Sequence, residues 1–308
     1  MGFSSLPLTS PYFYTYTLGS SLYVPLTSRC NTRTLPQTRG PNFMLPASVV
    51  AALCRVRDAE QETDTDSQTR IKNWKAWCNW LDMQDCHVKL PPAAEGISEL
   101  PDDEKKSDAP PSKQQRRPTV EELLEEVQAV LQHEMSPDGK TKNGCQHPLI
   151  TSLVIAGEGE PTLRFNALTR LSRALKDQTS LPIRLTTNGL IIRHDSCDGE
   201  SMRRQEDAAE QIVQQLVEAK IDSLSVALMT HDATLYKQLM DPLLPNDIND
   251  TPVEPHDRVC RLIQAAVGAG LHVETTAVDR PEIDKSRTEN LATQLGVQTP
   301  IRWRSYYA

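Results

Sequence analysis

What most constrains this chain is residues 152–306, where short apolar, β-prone runs alternate with stretches of helical periodicity. Residues 152–156, 183–186, 223–228, 272–278 and 301–306 read as strands. Between them, Phe165, Leu168, Leu171 and Leu175 mark one helix, and Ile212 and Leu216 another. Val259, Leu262 and Ile263 mark a third, and residues 284–295 predict a fourth. An upstream run, 21–27, alternates with Leu22, Val24 and Leu26 on one face and adds a sixth strand. Strands that are nearly continuously apolar and separated by helices predict a parallel α/β sheet covered on both faces. A doubly wound open sheet and a partial barrel both satisfy this periodicity. In either, ligands bind beyond the carboxyl ends of the strands, so the loops there are the candidate sites.

Those loops carry polar clusters. Cys30, Asn31 and Arg33 follow the first strand, and Gly157-Glu158-Gly159-Glu160-Pro161-Thr162 follows the second. Thr187-Asn188-Gly189 follows the third, and Thr230, His231 and Asp232 the fourth. Arg280 follows the fifth strand, while Arg302 and Arg304 lie in the sixth. The two glycines allow close backbone approach to a ligand, and Glu160 or the backbone beside it suits capture of an amine. Alone, a Gly-Glu-Gly-Glu-Pro turn is more often a loop than a site, and Asn-Gly is a turn first. Their recurrence at consecutive strand ends carries more weight than any one of them.

The segment after the first strand is the sharpest clue to chemistry. Counted from Cys30, the cluster-binding spacing C-x3-C-x2-C falls on Thr34 and Gln37. Neither is a plausible iron ligand, because iron–sulfur clusters are held by thiolates and occasionally by imidazole. A remote set drawn from Cys30, Cys54 and Cys145 is the alternative source of ligands. Arg39 offers a cation in the same loop, suited to an anionic ligand held without iron.

Composition narrows the setting. The net charge of −8 and a pI near 5.5 argue against a sequence-independent grip on nucleic acid. No apolar run approaches the roughly 18 residues of a membrane span. The first 18 residues lack a secretory pattern and contain no Arg, and Leu6 breaks the myristoylation pattern. Seven cysteines, odd in number and irregularly spaced, predict a reduced, intracellular and cytoplasmic protein. Residues 1–59 read as the first strand, the cluster-type loop and a helix over 44–59. Residues 60–117 read as an insertion, with Trp74, Trp77 and Trp80 on one helical side, then a charged, Pro-rich linker expected to be disordered. This insertion is the candidate surface for a protein partner. From 118 the remaining β/α units begin, with Thr119 and Glu122 spaced for a capping box.

Taken in order, YTYTLGSSLYVPLTSRCN, SLVIAGEGEPTL, IRLTTNGL, KIDSLSVALMTHDATLYKQLMDP, AGLHVETTAVDRPEID and LGVQTPIRWRSYY resemble the radical S-adenosylmethionine superfamily. The likeness is to its TatD-associated branch and covers residues 12–43 and 119–308. The resemblance implies a partial (β/α)6 TIM-like barrel. It also implies a [4Fe–4S] cluster held by three cysteines, whose open iron binds S-adenosylmethionine for reductive cleavage to a 5′-deoxyadenosyl radical. Carried across, Cys30 matches the first ligand, and Thr34 and Gln37 replace the second and third. Gly157, Glu158, Gly159 and Glu160 match the motif at the methionine amino group, and Asn188 a polar residue lining the pocket. Ala227 and Met229 stand where a small polar group often meets the ribose. The expectation is a barrel that binds S-adenosylmethionine, or a small molecule or protein, at its strand ends and has lost cluster and radical. The alternatives are an active enzyme with an unusual cluster and a non-catalytic α/β interaction scaffold.

Overall fold

A computed structural model describes residues 13–61, 118–135, 150–191, 204–242 and 254–308. The strands are β1 (Tyr16–Leu18), β2 (Ser21–Val24), β3 (Ser152–Ile155), β4 (Ile183–Thr187), β5 (Ser223–Ala227), β6 (His272–Asp279) and β7 (Arg302–Ser305). They form one sheet in sequence order. Only β1–β2 is antiparallel, and β2 through β7 pair in parallel. The sheet curls into a half-barrel, which decides for the partial barrel over the open doubly wound sheet.

Eight α-helices are present among the described residues. They are α1 (Leu35–Thr38), α2 (Ala47–Gln61), α3 (Val120–Met135), α4 (Phe165–Gln178), α5 (Arg204–Glu218), α6 (Ala233–Met240), α7 (Pro255–Gly268) and α8 (Lys285–Gln294). None of them is long and apolar enough to cross a membrane. Most of the 60–117 insertion, with its three tryptophans, lies outside the described residues, as does Cys145.

Period-two alternation sorts the sheet into two faces. Leu22, Leu153, Ile155, Leu185, Leu224 and Val226 point outward and are fully buried in the main core with the helices. The concave face is polar instead, and carries Tyr23, Arg184, Ser225, Glu274, Thr276 and Arg302. Burial of the apolar face supplies the main stabilisation, at about 25 cal/mol per Å² removed from water.

Local chemistry explains the boundaries. β2 ends at Val24 rather than running to position 27, because Pro25 has no N–H for the ladder. Gly19, at φ +61°, makes the turn that lets β1 fold back on β2, where Tyr16 stacks on Tyr23 at 5.1 Å. Sequence periodicity did not predict this hairpin. The capping box at α3 forms as expected: Glu122 Oε2 accepts from the Thr119 N–H at 3.0 Å, and Thr119 Oγ1 from the Glu122 N–H at 3.1 Å. Helix α6 was not foreseen; Asp232 starts it by accepting the Leu235 N–H at 2.8 Å.

The half-barrel's open side is bridged by the loop after β2. The Tyr307 N–H donates to the Arg39 carbonyl at 2.7 Å, and Arg39 Nε to the Ser305 carbonyl at 3.1 Å. Arg280 Nη1 reaches the Thr38 carbonyl at 2.9 Å. The first and last parallel strands are thereby tied together at their carboxyl ends.

Candidate functional site

Three loops converge at the carboxyl ends of β2, β3 and β4. Position 159 is where two of them touch. A Cβ on Gly159 would sit 2.3 Å from the Arg29 carbonyl oxygen and 2.5 Å from that of Thr27. Only glycine permits that approach. The next residue locks it, with the Glu160 N–H donating to the Arg29 carbonyl at 2.7 Å. Gly157 is similarly confined, its Cβ position lying 2.6 Å from Pro25 Cβ.

Glu160 is 2% exposed and sits at the centre of the junction. Its Oε1 accepts from Thr162 Oγ1 at 2.7 Å, the Thr162 N–H at 3.1 Å and Thr187 Oγ1 at 2.8 Å. Its Oε2 accepts the Asn188 N–H at 2.7 Å. Burial pushes the carboxyl above its ordinary value, while these four donors pull it back. This carboxylate is thus a clasp between the β3 and β4 loops, and its side chain is already engaged by the protein. The carbonyl oxygens of Gly157 and Gly159 accept no hydrogen bond from any described residue, so the backbone is the acceptor left for an amine. Glu158 faces the other way and pairs with Arg57 of α2.

Asn188 joins the third loop to the first. Its Nδ2 donates to Asn31 Oδ1 at 2.6 Å and to Thr32 Oγ1 at 3.2 Å, and lies 3.7 Å from Cys30 Sγ. Its Oδ1 accepts the Leu190 N–H at 2.8 Å, and Asn31 Nδ2 returns to the Leu190 carbonyl at 2.8 Å. Cys30, Glu160 and Asn188, far apart in the chain, therefore belong to one connected cluster. Thr162 and Thr187, which hold the carboxylate, were named in the strand-end clusters but given no role. A threonine after a strand resembles any other turn residue until its acceptor is known.

The residues do not fit a cluster-binding set. Thr34 and Gln37 are the cap and third residue of α1, and Gln37 Oε1 accepts the Thr34 N–H at 2.7 Å. The Cys30 thiol is pushed up to about 11, first by burial and then by Glu160, against hydrogen bonds from Thr32 and Asn188. One thiol cannot hold a four-iron cluster, whose other irons need thiolates as well. Cys54 is on α2 and buried, and Cys260 on α7 stands 3.9 Å from His256 Nδ1. Among the described residues, no group of three His, Cys, Asp or Glu side chains is arranged to hold a metal ion.

Arg39 is engaged within the protein. Its guanidinium lies 4.0 Å over the Phe43 ring and 5.3 Å from that of Tyr307 while Nε holds Ser305. It fastens the loop to the C-terminal segment.

No family model matches the chain, and no curated protein does. Among solved structures, it has a weak likeness to coproporphyrinogen III oxidase of Escherichia coli, described as a radical SAM enzyme. The two are 12% identical with a TM-score of 0.34, and the match covers 59% of this chain and 36% of that one. This chain therefore spans little more than a third of that enzyme's length, and a likeness of this size carries no argument about activity.

Proposed function

We propose that this chain is a radical SAM-type half-barrel, of the TatD-associated kind, that binds S-adenosylmethionine and has lost the cluster and radical chemistry. One observation carries the reading. The loop bearing Cys30, the Gly157–Glu160 turn and Asn188 meet in one cluster, while Thr34 and Gln37 serve as a helix cap. The pocket motifs are present and the cluster ligands are replaced. An active enzyme with an ordinary cluster would need two further thiolates in that loop, where Thr34 and Gln37 stand.

In this reading the free carbonyls of Gly157 and Gly159 take the ligand's ammonium, and the clasp at Glu160 keeps them in place. Such hydrogen bonds to a charged group contribute about 1.5–3 kcal/mol each. Isothermal titration with S-adenosylmethionine should give saturable, one-to-one binding. 5′-Methylthioadenosine, which lacks the amino-acid portion, should bind at least about tenfold more weakly. Absence of both heat and thermal stabilisation would reduce the GEGEP turn to a structural element.

A further inference from the structure

The concave face of the half-barrel holds an arrangement that this reading does not use. Strand register places Arg184 on β4, Glu274 on β6, and Arg302 and Arg304 on β7, all on the inward-facing side. The side chains meet as that register requires. Glu274 Oε2 lies 3.5 Å from Arg184 Nη1 and 3.2 Å from Arg302 Nη2. One carboxylate thus stands between two guanidiniums, and Arg304, on the same face of β7, is not one of its partners. The Arg304 side chain makes no hydrogen bond or ion pair with any described residue, although it is half-buried. Arg184 Nε is buried and also lacks an acceptor among the described residues.

Unbalanced positive charge on a curved face is costly unless something answers it. Arg304 is held below the ordinary arginine value first by burial and next by Arg302; Tyr23 opposes the shift, and Arg39 and Arg184 add to it. Tyr23 is on β2, at the far side of the curl from β7, so these groups converge across the concavity. Guanidiniums present paired N–H donors that match carboxylate and phosphate oxygens, and a concave, partly desolvated wall strengthens that recognition.

We infer that the concave face, through Arg184, Arg302 and Arg304, is a binding site for a small molecule with two or more negative charges, borne by phosphate or by paired carboxylates. Glu274 positions two of the arginines and sets the affinity by competing with the anion. The site shares no residue with the Gly157–Glu160 and Asn188 cluster, so it stands or falls apart from S-adenosylmethionine binding.

The test uses the full chain with inorganic pyrophosphate and citrate as probes, titrated calorimetrically at constant ionic strength. Far-ultraviolet circular dichroism verifies the fold of each variant. Saturable binding of at least one probe is expected, weakening as potassium chloride is raised. Arg304→Gln should weaken it about tenfold, and Glu274→Gln should tighten it by a similar factor. Arg287→Gln, an exposed arginine on α8, should leave it unchanged. Preference for pyrophosphate identifies a phosphate ligand, and preference for citrate a carboxylate one. Failure of both probes to bind saturably would overturn the inference, as would equal affinities for Arg304→Gln and Glu274→Gln. Loss of S-adenosylmethionine binding with pyrophosphate or citrate binding intact would overturn only the proposed function.

Discussion

Gly159→Ala is expected to destabilise the protein by about 3 kcal/mol or more, or to prevent folding. The added methyl meets backbone rather than side chain, at 2.3 Å from the Arg29 carbonyl oxygen, 2.5 Å from that of Thr27 and 2.7 Å from the Arg29 nitrogen. Backbone atoms cannot rotate away, and the Glu160 N–H to Arg29 bond prevents the two loops from separating cheaply. The control is Gly268→Ala at the end of α7, where a Cβ meets nothing within 4 Å. That change should be neutral or stabilising by up to about 1 kcal/mol. Urea unfolding of both variants checks the contrast, and equal midpoints would mean that the loops are not in contact as described.

Glu160→Gln should cost about 2–4 kcal/mol, for a different reason. The carboxylate accepts four hydrogen bonds with its two oxygens, and every partner there donates to it. A glutamine keeps one acceptor oxygen and turns an NH2 toward a donor. If its oxygen stays with Thr162 and Thr187, the amide meets the Asn188 N–H. If it flips, the amide meets the Thr162 N–H, while the two threonine hydroxyls lose their acceptor. Both orientations leave buried donors unpaired, so shape conservation does not help. The measurement is the urea midpoint at constant slope. A shift within about 0.5 kcal/mol, the range of ordinary surface substitutions, would contradict the clasp.

These two positions also show how far the sequence could be read. The strand-end loops were legible because a parallel β/α alternation dictates where they gather, and Cys30, Glu160 and Asn188 do meet there. What the alternation could not convey was which way each group faces. Glu160 reads as a free carboxylate in a Gly-rich turn, and only the fold supplies Thr187 from 27 positions away. The arginine face was hidden for the same reason. Arg184 and Arg302 come together around Glu274 only once register and curl are fixed.

Thr34 and Gln37 carry a local signature of their own. Thr34-Leu35-Pro36-Gln37 has the same T-x-x-E/Q spacing as Thr119 and Glu122, with proline inside the first turn. The pattern that was recognised ahead of α3 was, ahead of α1, counted as two missing ligands. Helix α6 and β1 escaped because each is short. Their boundaries rest on the Asp232 cap and the Gly19 turn rather than on periodicity.

The central claim of the proposed function is that this half-barrel does not support an iron–sulfur cluster. Anaerobic reconstitution with ferrous iron and sulfide, followed by desalting and quantification of both, tests it directly. The account predicts iron and sulfide far below the about four of each that a complete cluster contains, with no difference between the native chain and Cys30→Ala. About four irons and four sulfides per chain, lost on Cys30→Ala, would contradict it.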